Sequence, residues 1–142
     1  MAKQPLIAVI DGKGGGLGRA VIEALNRGEL EGEIIALGTN AVATANMLRG
    51  GAKDGASGEN AVCHMCRQAK VIVGPIGILT ADAMMGEITP RMAQAVALAP
   101  GEKVLLPLQR CGITVAGVQD LPLKELLGQL PGLVRAALTE EE

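Results

Sequence analysis

The chain has 142 residues, enough for one ordinary domain that buries roughly two-thirds of its unfolded surface. Hydrophobic residues make up 49% and charged residues 20%, which excludes a disordered polar tract. Net charge is −2, the 13 Lys and Arg are scattered, and there is no Phe, Tyr or Trp, so the basic stripe and stacking platforms of nucleic-acid binding are missing.

Short β-branched apolar runs alternate with segments of helical period, which predicts one α/β domain over residues 1–142, three layers deep, with a mostly parallel sheet. Leu6–Ile10 reads as the first strand, Asp11–Gly18 as a loop, and Arg19 to about Arg27 as a helix stopped by Gly28. The opening apolar run is too short to cross a bilayer and carries no secretory cleavage site, so a cytoplasmic protein without membrane contact is expected. Glu33–Leu37 is the second strand, and Thr39 or Asn40 is placed to cap a helix running to about Arg49.

Residues 51–58 hold three glycines and little apolar material, and are expected to form a loop without a third strand. A helix from about Gly58 to Ala69 leads to Val71–Val73, continuous and apolar as a strand covered on both faces should be, and Gly74-Pro75-Ile76-Gly77 breaks it. Ile78–Ile88 has no clear period and reads as a loop with a short helix. Thr89-Pro90 opens a helix to about Ala99. Lys103–Leu108 is the next strand, Ile113–Val118 a short edge strand, and the helical tail over about 122–138 should be divided by Gly128 and Pro131 into two helices.

The informative stretch is Asp11-Gly12-Lys13-Gly14-Gly15-Gly16-Leu17-Gly18, set between a clear strand and a clear helix. Glycines there let a phosphate approach the backbone, and free amides at a helix N-terminus attract negative charge. The spacing Gly12, Gly16, Gly18 resembles the glycine pattern of short-chain dehydrogenases and reductases, which implies a Rossmann-like domain with NAD(P) or another nucleotide as cofactor. Three features depart from that pattern. The family's catalytic tyrosine has no counterpart, because the chain contains none. A dinucleotide site wants an Asp or Glu about 20 residues beyond the glycines to hold a ribose, but the second strand ends in Leu37-Gly38-Thr39-Asn40, with Thr39 and Asn40 as weaker hydrogen-bonding groups. Asp11 puts a carboxylate beside the phosphate site, so it must be paired, bridged by a cation, or aimed elsewhere. Lys13-Gly14-Gly15 also resembles the start of the P-loop of partition-type ATPases, but Arg19-Ala20 stands where the phosphate-gripping Lys and the Mg²⁺-binding Ser or Thr belong.

Loops at the carboxyl ends of the later strands complete the candidate rim: Gly74, Pro75, Ile76 and Gly77, and then Arg110, an anion grip, with Cys111 as a nucleophile. These last two are the only catalytic candidates. Cys63 and Cys66 share a helix face, but no second pair completes a structural zinc, so both read as core thiols, no metal site is expected, and His64 reads as a surface residue. Asp82 and Glu87 flank Met84-Met85 in a segment suited to a lid or a subunit contact. High hydropathy in so small a domain favours a homodimer or higher homo-oligomer.

Over nearly its full length the chain is similar to a family of small uncharacterised bacterial proteins, a domain of unknown function, typified by Val-Ile-Asp-Gly-x-Gly-Gly-Gly, here Val9–Gly16. Ala36–Ala41, Gly58–Ala61, Gly74–Gly77 and Gly86–Pro90 carry the same resemblance, which implies a Rossmann-like fold and no particular activity. The expected function is binding of a phosphate-bearing small molecule, a nucleotide or dinucleotide, over residues 12–18, in a regulatory or sensing role. The rivals are a small oxidoreductase or transferase completed across a dimer interface, and a scaffold subunit whose glycines serve packing alone.

Overall fold

The computed structural model describes residues 4–108 and 111–140. Its elements are β1 (Leu6–Asp11), α1 (Gly16–Arg27), β2 (Glu33–Gly38), α2 (Ala41–Arg49), β3 (Asp54–Ser57), α3 (Glu59–Cys66), β4 (Val71–Pro75), α4 (Pro90–Leu98), β5 (Glu102–Leu106) and α5 (Leu123–Thr139), with a 3-10 turn over Ile76–Leu79. All five strands are parallel, in the order β3-β2-β1-β4-β5. Alternate side chains of the sheet divide the core in two: Ile7, Val9, Val71 and Val73 pack against α1, α2 and α5, while Ala8, Ile10 and Ile72 face α3, α4 and the 3-10 turn. The result is an α/β three-layer, Rossmann-like domain, and β1 and β4 are apolar throughout their centres because helices cover both of their faces.

Three expected elements differ. Asp54–Ser57 is a strand where a loop was expected; it lies at the sheet edge and pairs only with β2, so ladder bonds rather than side chains hold it. Its residues are small because α2 lies close: a Cβ on Gly55 would come within 2.9 Å of the Thr44 methyl. Residues 113–118 form no strand; all but Val115 are exposed, so the segment has no apolar face to bury against the sheet. The tail is one helix rather than two. Its stripe of Leu126, Leu130, Val134 and Ala137 is buried in the α1 layer, and that packing outweighs the hydrogen bond lost at Pro131.

Pro131 also has a docking role at the end of α1. Gly28 has ordinary backbone geometry, φ −82°, yet a Cβ there would lie 2.6 Å from the Pro131 ring, while Arg135 donates to the Gly28 carbonyl at 2.8 Å. Gly28→Ala is expected to cost about 1–3 kcal/mol by overpacking, read from the urea midpoint, and adding Pro131→Ala should recover most of the loss. An additive double variant would show that the two residues do not meet in solution.

The strand order sets the site. From β1 the chain winds outward through β2 to β3, then crosses to β4 on the other side of β1. The connection leaving β1 enters the α1 layer and the one leaving β4 enters the α3 layer. Open α/β sheets bind ligands beyond the carboxyl ends of two such strands.

Candidate functional site

Asp11 ends β1 and is buried, and its two carboxylate oxygens face the two sides of the glycine loop. Oδ1 accepts the Gly12 amide at 2.8 Å and Oδ2 accepts the Gly18 amide, in the first turn of α1, at 2.7 Å. Burial pushes the Asp11 carboxyl above its ordinary value, the two amides hold it back, and the charge of Glu87 adds to the rise. Of the options left open for this carboxylate, the structure shows the inward one: it closes the loop from beneath. The loop is correspondingly tighter than expected. Helix α1 starts at Gly16 rather than Arg19, after Gly15 in the left-handed region at φ +76°.

Glu87 reaches the same place from the turns that follow β4. Its Oε1 accepts three hydrogen bonds, from the Thr39 hydroxyl at 2.6 Å, the Lys13 amide at 2.8 Å and the Asn40 side-chain amide at 3.0 Å. The Thr39 hydrogen bond, with the Lys13 amide and Asn40 behind it, holds this carboxyl below its ordinary value against the opposing effect of burial. One oxygen therefore ties together the ends of β1, β2 and β4. The supporting turns are internally bonded, Asp82 N–H to the Ile88 carbonyl at 2.7 Å and Ile88 N–H to the Ala83 carbonyl at 3.1 Å, with Met84 and Ile88 buried beneath and Met85 91% exposed at the tip. Asp82, Met84 and Met85 all take the left-handed region there, a cost that such closely determined segments bear at functional positions.

Thr39 and Asn40 are thus already engaged. The Asn40 side-chain oxygen Oδ1 accepts the Ala43 amide as the cap of α2, and its Nδ2 also donates to the Lys13 carbonyl at 2.9 Å; Asn46 Nδ2 does the same for the Gly14 carbonyl at 3.0 Å. Both carbonyls of the loop are held toward α2.

The glycines fall into two groups. Gly12 admits Glu87, Thr39 and Met84, Gly18 admits Met47 and Asp11, and Gly15 combines a positive φ with a Cβ position 2.5 Å from the Ala43 carbonyl. Packing accounts for all three. Gly14 and Gly16 are exposed, have no positive φ, and a Cβ on either would meet nothing within 4 Å. Among the described residues the amides of Gly14, Gly16 and Leu17 have no intramolecular acceptor, as the opening turn of a helix leaves them.

The next candidates lie alongside this cluster, because β4 ends beside the end of β1. Gly74 and Pro75 are buried within β4, where the missing Cβ of Gly74 lets the Ile10 carbonyl approach; Gly77 is buried and Ile76 half-buried in the 3-10 turn. Arg110 lies outside the described residues, and Cys111 is exposed in a turn at φ +50°. Cys63 and Cys66 are buried, and desolvation, with Cys63 beside it, pushes the Cys66 thiol up to about 11, an unreactive range. His64 is exposed and bonded to Gln68. A cavity of about 620 Å³ lined by Arg67, Lys70, Glu102 and Glu140 lies at the amino-terminal edge of the sheet, away from the glycine loop. Its paired carboxyls, Glu140 pushing Glu102 up, make it a poor anion site. The residue that sequence reasoning missed as part of the site is Glu87; its signals were its place in the phrase Gly86–Pro90 and its position flanking Met84-Met85, read as a lid or contact.

Residues 6–138 match the family model DUF3842, a domain of unknown function. The chain belongs to the DUF3842 family. No curated protein and no solved structure matches it. The DUF3842 match spans the glycine loop, Thr39-Asn40 and Glu87 together, so the whole cluster belongs to the domain. Among the described residues, no helix of this DUF3842 domain is long and apolar enough to cross a membrane.

Proposed function

We propose that the domain binds a phosphate-bearing small molecule, a nucleotide or dinucleotide of the NAD(P) or adenine-nucleotide kind, over residues 12–18, and serves to sense it. The observation that carries this reading is the pair Gly14 and Gly16. They are exposed glycines with no neighbour and no dihedral need, beside three open amides at the start of α1 and at the switch point of the sheet. A close-approaching anion supplies the reason for them that packing does not. Lys13 stands exposed on the same loop as a counter-charge.

The fit extends to a phosphate and stops there for chemistry. No tyrosine is present, Cys66 is held protonated, and the two carboxylates of the site are both engaged by backbone amides, which supports binding rather than turnover.

Calorimetric titration of the full chain with ADP, ATP, NAD, NADP and inorganic pyrophosphate tests the reading. Saturable binding of at least one is expected, and a ligand at about 100 times its Kd should stabilise the fold by roughly 2.7 kcal/mol. No binding by any of the five would leave a scaffold role.

A further inference from the structure

In open α/β sheets that bind dinucleotides, a carboxylate at the end of the second strand accepts the ribose hydroxyls. Here β2 ends in Gly38 followed by Thr39 and Asn40, neither of which has a carboxylate. The structure nevertheless places one at that point. Glu87, brought back from the connection after β4, rests on the Thr39 hydroxyl, the Asn40 amide and the Lys13 amide through Oε1 alone. Its second oxygen, Oε2, accepts no hydrogen bond from the described residues. The carboxylate is half-exposed and sits one residue before the open amides that begin at Gly14.

We infer that Glu87 is the ribose-binding residue of this site and selects nucleotides whose 2′ and 3′ hydroxyls are both free. The inference rests on the phosphate-binding reading of residues 12–18 and names the ligand class within it. A phosphate on the Gly14, Gly16 and Leu17 amides leaves its ribose over Lys13 and Thr39, where the hydroxyls donate to Oε2. A 2′-phosphate would instead face a carboxylate that three donors hold ionised, and like charges at contact distance repel. Gly12 belongs to the same device: a Cβ there would lie 3.0 Å from Glu87 Oε1, so only glycine lets the carboxylate settle against the loop.

The test compares ADP with 2′-deoxy-ADP, and NAD with NADP, on the full chain and on Glu87→Gln, with inorganic pyrophosphate as the diol-free control. Because the Glu87 bond would be charge-assisted, the free-diol ligand of each pair should bind the native chain roughly tenfold or more tighter. Glu87→Gln should remove most of that preference by weakening ADP and NAD relative to pyrophosphate, which has no hydroxyl to lose a partner. Equal affinities within each pair on the native chain would overturn the inference even if the variant failed to fold. So would a variant that bound ADP and NAD more tightly, which would mark Glu87 as a plug occupying the ligand's place. Pyrophosphate binding without any gain from the nucleoside would sink this inference alone, whereas loss of all five ligands would sink the phosphate reading with it.

Discussion

Gly15→Val and Gly16→Val, adjacent residues of one loop, are expected to fail in opposite ways. A valine at position 15 must hold a left-handed backbone, worth roughly 1–2 kcal/mol, and its Cβ would drive into the Ala43 carbonyl of α2, adding about 1–3 kcal/mol of overpacking. That sum is a large share of the stability of a small domain, so much of the Gly15→Val chain should be unfolded or reach a far lower urea midpoint. A Cβ at position 16 meets nothing, the residue is helical and stands on the surface of the first turn, so Gly16→Val should change stability by about 0.5 kcal/mol or less. Its side chain would, however, cover the amides that a phosphate needs. Saturable binding of the nucleotide or pyrophosphate should therefore disappear while the thermal midpoint without ligand stays put. Native affinity in Gly16→Val would remove the loop from the site; a lost fold in Gly16→Val would mean that packing accounts for this glycine too.

The architecture was legible because its signals are local. Alternating apolar runs and glycine punctuation placed β1, β2, β4 and their helices, and a strand buried on both faces announces itself by continuous Val and Ile, as Val71–Val73 does. β3 was illegible for the converse reason: four residues, Asp-Gly-Ala-Ser, are held by a ladder on one side and shaped by the closeness of α2. Pro131 misled because its local cost is real, and what outweighs it is the tertiary burial of Leu126, Leu130, Val134 and Ala137. The site divides likewise. The glycine loop and Asp11 are contiguous and could be read from spacing, but which glycines serve packing depends on Ala43, Met47 and Glu87, all remote in sequence. Glu87 lies 74 residues from the amide it binds, and the phrase Gly86–Pro90 does not say which backbone amide its carboxylate reaches.

Asp11→Asn is expected to show whether the buried carboxylate is the keystone of the loop. Each oxygen of Asp11 accepts one backbone amide, so an asparagine satisfies one and turns its own N–H₂ toward the other, donor against donor. Leaving a buried amide unsatisfied costs about 1–3 kcal/mol, and Asp11→Ala, which strands both, should cost roughly twice as much. The pH dependence gives a sharper reading. Burial raises the Asp11 carboxyl, so the folded chain binds its proton more tightly than the unfolded chain does, and this contribution to stability is lost as pH rises from the ordinary value of 3.8 through the raised one. Glu87 has the opposite sign: its lowered carboxyl contributes stability that is present above the ordinary value of 4.5 and lost as pH falls through the folded one. Both the native chain and Asp11→Asn keep Glu87, so its share largely cancels in their difference. The gap in urea midpoint between the two should then be widest in acid and narrow as pH rises above the ordinary value of 3.8 through the raised one. A gap that widened toward neutral pH would mean that the amides of Gly12 and Gly18 outweigh desolvation and hold Asp11 as a low carboxyl, ready to accept from the loop in every state of the ligand site.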